Sequence, residues 1–386
     1  MDKVDHWWDF EGQLESVHDL LRRQQVRLDV LASQHYTLHD EIHALRDCLE
    51  QIGIIRSEPL LARQHQHCFA RICMQHPCVW HESLDSTIGG TQEGICVLAE
   101  LVGRRCMATL SAASRSLYYS VGASSSKLSA TLPPMIYVLG GENDDGQTLD
   151  DVECFDPSTG VWEPSVPLST PRMCCAATAV AGNLYVMGGL GGSGDALNLV
   201  DRFNPWMRKW EGMPAMLERR AAAAAVSAGS TICAFGGHNG HFVYATAEVL
   251  QLGDESQWVA LPAMQGGQRH SAAAVQANGV VYVLGGRGES GDVLSTVEQY
   301  ETQASVWVQL PPLRSPRAGL AAASIAGTVY VVGGCDASGV ELKSLERFHR
   351  HIGAWEMLSP LAVPRWGLGA VSCVSRLYAL GGSSWR

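Results

Sequence analysis

Positive charge is scarce: 28 Lys and Arg stand against 39 Asp and Glu, a formal net charge of −11 over 386 residues. That balance argues against nonspecific binding to nucleic acid or anionic lipid, both of which need clustered positive charge. No stretch of eighteen apolar residues occurs, and the opening MDKVDHWWDFEG has no apolar h-region. Neither a membrane span nor a signal peptide is expected, and the reading is a cytoplasmic protein, with a nuclear location left open. The 12 cysteines fall at irregular spacings without a CxxC, which fits reduced thiols better than a disulfide framework. No GxxxxGK[ST] is present, so the glycine-rich stretches are not phosphate loops.

Helix breakers are missing from the start of the chain. Proline is absent before Pro59 and glycine is absent between Gly12 and Gly53. Leu14, Leu21, Leu28, Ile42 and Leu49 fall at one heptad position, and Val17, Leu31, Leu38, Leu45 and Ile52 fall three residues on; Gln24 and His35 interrupt the seam. A seven-residue seam of this length predicts a left-handed coiled coil over 1–55, with homo-oligomerisation through 10–55. Residues 56–131 read as a linker of uncertain structure. The stretch 65–81 holds His65, His67, Cys68, Cys73, His76, Cys78 and His81, but no tight ligand knuckle, so a helix continuation or linker is preferred to a zinc site.

What the rest of the chain does have is a beat of glycine pairs. Gly140-Gly141, Gly188-Gly189, Gly236-Gly237, Gly285-Gly286, Gly333-Gly334 and Gly381-Gly382 recur every 48 or 49 residues, each ending an apolar run such as LYVMGG or VYVLGG. Trp162, Trp210, Trp258, Trp307 and Trp355 each lie 21 residues after a second glycine. Arg172, Arg220, Arg269, Arg317 and Arg365 each lie 16 residues before a first one. The extra residue of the 49-residue period therefore sits between Trp258 and Arg269, in an expected loop. Each unit shows four strand signals: a small-residue run after the arginine, the run into the glycines, a strand with an acid and usually an aromatic (VECFDP, VDRFNP, VEQYET), and a strand entered at the tryptophan. Four short strands per unit describe one blade of a propeller, with the alanine-rich strand innermost. In the third unit Leu250 replaces the aromatic and Glu248 precedes Trp258 by ten residues rather than nine, so that blade is expected to be the least regular.

The paired glycines, the Val-Glu-x-Tyr/Phe-like strand and the fixed tryptophan resemble the kelch repeat, over about residues 135–386. The resemblance implies an all-β propeller of five to six blades with incomplete terminal blades, spanning 132–386. Residues 132–135, LPPM, match LPAM at 261–264 and LPPL at 310–313, where the glycine pair follows 24 and 23 residues later; here Gly140 follows Leu132 by eight. About one inner strand with its arginine is thus missing before Ile136. The expectation is a six-bladed parent altered at residue 135 and shortened after Gly382, or strands supplied by the segment before 130 or by a second molecule.

For function the five arginines allow two readings. They could ring one mouth of the central channel and grip an acidic peptide, because guanidinium forks hold carboxylates bidentately. Alternatively each pairs with an acid of its blade, from Glu153, Asp201, Glu248, Glu298 and Glu346, and recurrence in every copy favours that. The loops at 141–151, 238–246 and 287–295 differ between copies and are the better recognition candidates, with Phe242, Tyr244 and Arg287 among their side chains. His238, His241, His270 and Asp336 show no spacing for a metal or for a nucleophile with its base, so an oxidase- or epimerase-type enzyme is the weaker alternative. The expected protein is a non-catalytic scaffold or adaptor without cofactor. By analogy with kelch-like proteins, its partners would be protein, with a ubiquitin-ligase component or the actin cytoskeleton as candidates.

Overall fold

The small-residue run of each repeat alternates buried with half-exposed positions, whereas the apolar run into the glycine pair is buried almost throughout, the pattern of a strand packed on both faces by neighbouring sheets. The structure is a computed structural model and describes residues 134–383 apart from Asp254, Gln303 and Val374. The coiled coil expected over 1–55, the linker 56–131 and its His/Cys stretch lie outside the described residues. The first sheet has three strands, β1 (Ile136–Leu139), β2 (Val152–Asp156) and β3 (Val161–Pro164). Four four-stranded antiparallel sheets follow. They comprise β4 (Ala176–Val180), β5 (Asn183–Met187), β6 (Val200–Asn204) and β7 (Lys209–Met213); β8 (Ala224–Ala228), β9 (Thr231–Phe235), β10 (Ala247–Gln251) and β11 (Gln257–Leu261); β12 (Ala273–Ala277), β13 (Val280–Leu284), β14 (Val297–Glu301) and β15 (Val306–Leu310); and β16 (Ala321–Ile325), β17 (Thr328–Val332), β18 (Leu345–His349) and β19 (Ala354–Leu358). A hairpin of β20 (Trp366–Cys373) and β21 (Arg376–Ser383) ends the described chain. The fold is thus an all-β propeller of five blades followed by a two-stranded hairpin.

The third repeat corrects the expectation of irregularity. Glu248 pairs with Ala234, and Leu250 faces Trp258 just as Phe203 faces Trp210 in the preceding blade. The extra residue before Trp258 is taken up in the turn between β10 and β11. Leu250 is fully buried, so a branched aliphatic side chain fills the place that an aromatic ring takes elsewhere.

The glycine pairs join one blade to the next. The N–H of Gly189 donates to the carbonyl of Arg220 at 2.8 Å, and Gly237, Gly286 and Gly334 repeat the bond to Arg269, Arg317 and Arg365. A Cβ on the first glycine of each of these pairs would overlap that same carbonyl oxygen, and its φ near +60° is one that L side chains rarely adopt. A second belt runs at the start of the inner strands. Ala222, Ser271, Gly319 and Gly367 each donate their N–H to Cys174, Ala222, Ser271 and Gly319 of the preceding blade, at 2.8–2.9 Å. All five belt residues have positive φ.

Farther out, the tryptophan of each four-stranded blade reaches back to its predecessor. The indole N–H groups of Trp210, Trp258, Trp307 and Trp355 donate to the carbonyls of Val166, Pro214, Pro262 and Pro311. Tyr137 likewise meets Phe203 of the next blade at 5.9 Å, and Tyr282 meets Phe348 at 6.5 Å. Tyr378 of β21 stands in the same relation to Phe155 of β2, at 6.1 Å. The hairpin therefore occupies the sector between the fifth blade and the first.

Candidate interaction site

Among the five arginines, four are buried and committed. Arg172 pairs with Asp201 at 2.5 Å, Arg220 with Glu248 at 2.5 Å, Arg269 with Glu298 at 3.1 Å and Arg317 with Glu346 at 2.5 Å, each within its own blade. The second carboxylate oxygen accepts a backbone N–H from the loop before the arginine: Leu217 for Glu248, Gly266 for Glu298 and Arg314 for Glu346. Arg220 and Arg317 also donate to Thr246 Oγ1 and Ser344 Oγ. The equivalent Arg269 lies in the blade whose entry loop carries the extra residue, and here both Arg269 Nε and Thr296 Oγ1 lack a partner. Burial pulls the Arg269 and Arg317 guanidinium groups below their ordinary range, and the facing carboxylates oppose it.

This geometry corrects the ring of guanidinium groups at the channel mouth. Arg172, Arg220, Arg269 and Arg317 are at most 1 % exposed, and a partner's carboxylate would have to break buried pairs to reach them. Arg365 differs. It is half-buried, donates to the Gly381 carbonyl at 2.7 Å, and faces no carboxylate among the described residues. Glu153, the acid of the first sheet, is exposed.

Two of the three candidate loops, 238–246 and 287–295, are linked instead through His238 and His270. In the 238–246 loop Asn239 Oδ1 accepts the N–H groups of His241 and Phe242, an arrangement that holds the turn while leaving Phe242 64 % exposed. The Tyr244 N–H donates to Gly237, its hydroxyl reaches Glu218 at 3.4 Å, and its ring lies 5.0 Å from the Arg220 guanidinium. Arg287 exchanges both backbone hydrogen bonds with His270 and donates from Nη1 to the Gly291 carbonyl at 3.0 Å. His238 and His270 meet edge to face at 5.2 Å across the blade boundary, and His270 Nδ1 lies 3.0 Å from Ser271 Oγ. The spacing of these histidines, weighed for a metal or for a nucleophile with its base, does not disclose their contact. The signal was positional: His238 follows a glycine pair and His270 follows the next blade's arginine, which places both at one level of the ring.

Burial, the neighbouring His238 and the Arg287 charge push His270 down to about 4, and burial also lowers His238. An ordinary histidine titrates near 6.5. Between these values the unfolded chain binds more protons than the folded one, so stability is full above about pH 6.5 and falls as the pH drops toward 4. We expect the urea midpoint of the His270→Asn protein to fall less between pH 7 and pH 4.5 than that of the parent. Equal slopes in the two proteins would remove His270 from the acid response.

A ring of four-stranded blades, each pinned by a buried arginine–acid bridge and joined to the next through glycine pairs, defines a kelch-type propeller. The comparisons place it further. The sequence model of the Attractin/LZTR1 beta-propeller matches residues 136–384, more than half of the chain, and the chain belongs to that family. An F-box/kelch-repeat protein of Arabidopsis thaliana is 41% identical over 51 residues, which are 13% of this chain and 14% of that protein. The matched part thus spans only a small fraction of that relative. The solved structure of YjhT superposes with a TM-score of 0.57 at 16% identity, covering 66% of this chain and 88% of that one, a likeness of fold. Among the described residues no group of three or more His, Cys, Asp or Glu side chains is placed to hold a metal ion.

Proposed function

We propose that the chain is a non-catalytic interaction platform, with a protein partner docked on the patch formed by Phe242, Tyr244, His238, His270 and Arg287. The observation that supports this reading is Phe242, a large ring 64 % exposed on a turn anchored to a rigid ring of sheets. Aromatic side chains on rigid supports lose little entropy on binding and dominate interface energies. Arg287 gives the patch a cation for an acidic peptide, the role first considered for the buried arginines. Oligomerisation through 10–55 would raise avidity for a repetitive partner, and the setting we propose is the cytoplasm.

The test is affinity capture with the full chain against the triple variant Phe242→Ala, Tyr244→Ala, Arg287→Ala. We expect the same partners to be lost together, by at least about tenfold, because each buried anchor contributes on the order of 1–3 kcal/mol. Retention of every partner by a variant with parental thermal stability would move the site elsewhere. The Arabidopsis relative is named for an F-box joined to kelch repeats, and this favours a second reading, use as a ubiquitin-ligase substrate adaptor.

A further inference from the structure

The chain holds two Asn-Gly steps, Asn239-Gly240 in the loop that carries Phe242 and Asn278-Gly279 in the turn between β12 and β13. An asparagine followed by glycine is open to attack by the next backbone nitrogen on its own side chain, because no Cβ shields that nitrogen. Alike in sequence, the two steps differ in their contacts. At Asn278 the carboxamide is tied to the next blade, with Nδ2 donating to the Gly327 carbonyl at 3.0 Å. At Asn239 both groups that a cyclisation needs are served. Its Oδ1 accepts the backbone N–H groups of His241 at 3.0 Å and Phe242 at 2.9 Å, so the carbonyl is polarised and charge developing on that oxygen meets two fixed donors, as in an oxyanion hole. The nucleophile is engaged as well: the Gly240 N–H donates to Nδ1 of His238 at 3.2 Å. That bond requires an imidazole unprotonated at Nδ1, and burial holds His238 below its ordinary range, so the ring is a base at neutral pH. Gly240 itself is exposed, which gives water access to the step.

We propose that Asn239 is a self-modification site, at which His238 takes the Gly240 amide proton while the Gly240 nitrogen attacks Cγ of Asn239. The N–Cγ bond forms and the Cγ–Nδ2 bond breaks. The amide nitrogen leaves as ammonia after receiving the proton that His238 carried, and a cyclic succinimide remains in the chain. Water then opens the ring at either carbonyl, giving aspartate or isoaspartate, and nothing is oxidised or reduced. Both products set a carboxylate where a neutral amide stood, next to the histidine that meets His270 across the blade boundary. Isoaspartate also routes the backbone through Cβ, and the turn in which Asn239 and Phe242 exchange hydrogen bonds is lost with it. The loop is thus a one-way timer that rewrites the charge and shape of the Phe242 patch. This consequence rests on the docking reading; the conversion itself does not.

The test is a peptide map of the full chain aged at neutral pH, with mass spectrometry following the replacement of amide by acid at both Asn-Gly steps and chromatography separating aspartate from isoaspartate. In the folded chain Asn239 is expected to convert at least about tenfold faster than Asn278, within what a positioned general base contributes. In urea the two rates should converge, because only the shared Asn-Gly sequence is left. His238→Gln keeps a hydrogen-bond acceptor but no base, and it should bring Asn239 down to the rate of Asn278 while Asn278 itself is unchanged. Equal rates in the folded chain, a difference that survives urea, or an Asn239 rate unmoved by His238→Gln would overturn the proposal. A slow Asn239 with partners still lost from the triple variant would sink the modification and leave the docking site standing. A fast Asn239 with every partner retained would do the reverse.

Discussion

Arg317→Met is expected to cost about 3–5 kcal/mol of stability, because it leaves Glu346 charged, buried and without its cation. Both side chains are 0 % exposed, so water cannot take the place of the lost partner. The glutamate would keep only the N–H of Arg314. A double change to Arg317→Met with Glu346→Leu should recover much of the loss, since two apolar groups of similar bulk leave no uncompensated charge. Arg269→Met should cost less than Arg317→Met, because Arg269 already holds its glutamate at a longer 3.1 Å and has an unpartnered Nε. Urea midpoints followed by tryptophan fluorescence would rank the variants. Equal losses for Arg317→Met and for the double variant would show that the stability comes from packing and not from charge pairing.

Gly236→Ala is the second large effect, and its comparison with Gly381→Ala isolates the cause. Both glycines sit near φ +60°, so each alanine meets a left-handed backbone penalty of about 1–2 kcal/mol. At Gly236 the added methyl also overlaps the Arg269 carbonyl of the next blade, and at Gly381 it meets nothing within 4 Å. Overpacking of this kind adds roughly 1–3 kcal/mol. Gly236→Ala should therefore lower the thermal midpoint clearly more than Gly381→Ala. Similar midpoints would mean that the blades slide apart at little cost and that the glycine–arginine junction is not a fixed contact.

These two junctions also show how far the amino-acid sequence could be read. The period, the four strands per blade and the arginine–acid pairs were legible, because each rests on a residue type that only one environment favours. Arginine and glutamate repeated at fixed spacing in apolar surroundings have few places to go except to each other. The structure shows where the ring of free guanidinium groups fails: a side chain on the loop that enters an inner strand turns back onto its own blade and its acid. The bonds between blades were invisible except through glycine, since a carbonyl of Arg220 or Arg269 carries no mark in its side chain. Leu250 misled in the opposite direction. A missing aromatic reads as a weak blade, yet the site asks only for buried apolar volume, which leucine supplies. In the loops, Phe242 and Arg287 were recognised by residue type, whereas the histidine contact needed the ring geometry that sets one blade's glycine pair beside the next blade's arginine.

The belt at the start of the inner strands works as links in series. Its four bonds all point the same way around the axis, from Gly367 back to Cys174. Each link is a single backbone bond between neighbouring blades, so a displacement of one blade is handed on to the next through a contact that no side-chain substitution short of proline can delete. The blades that share the His238–His270 contact are held together by one of these links, from Ser271 to Ala222.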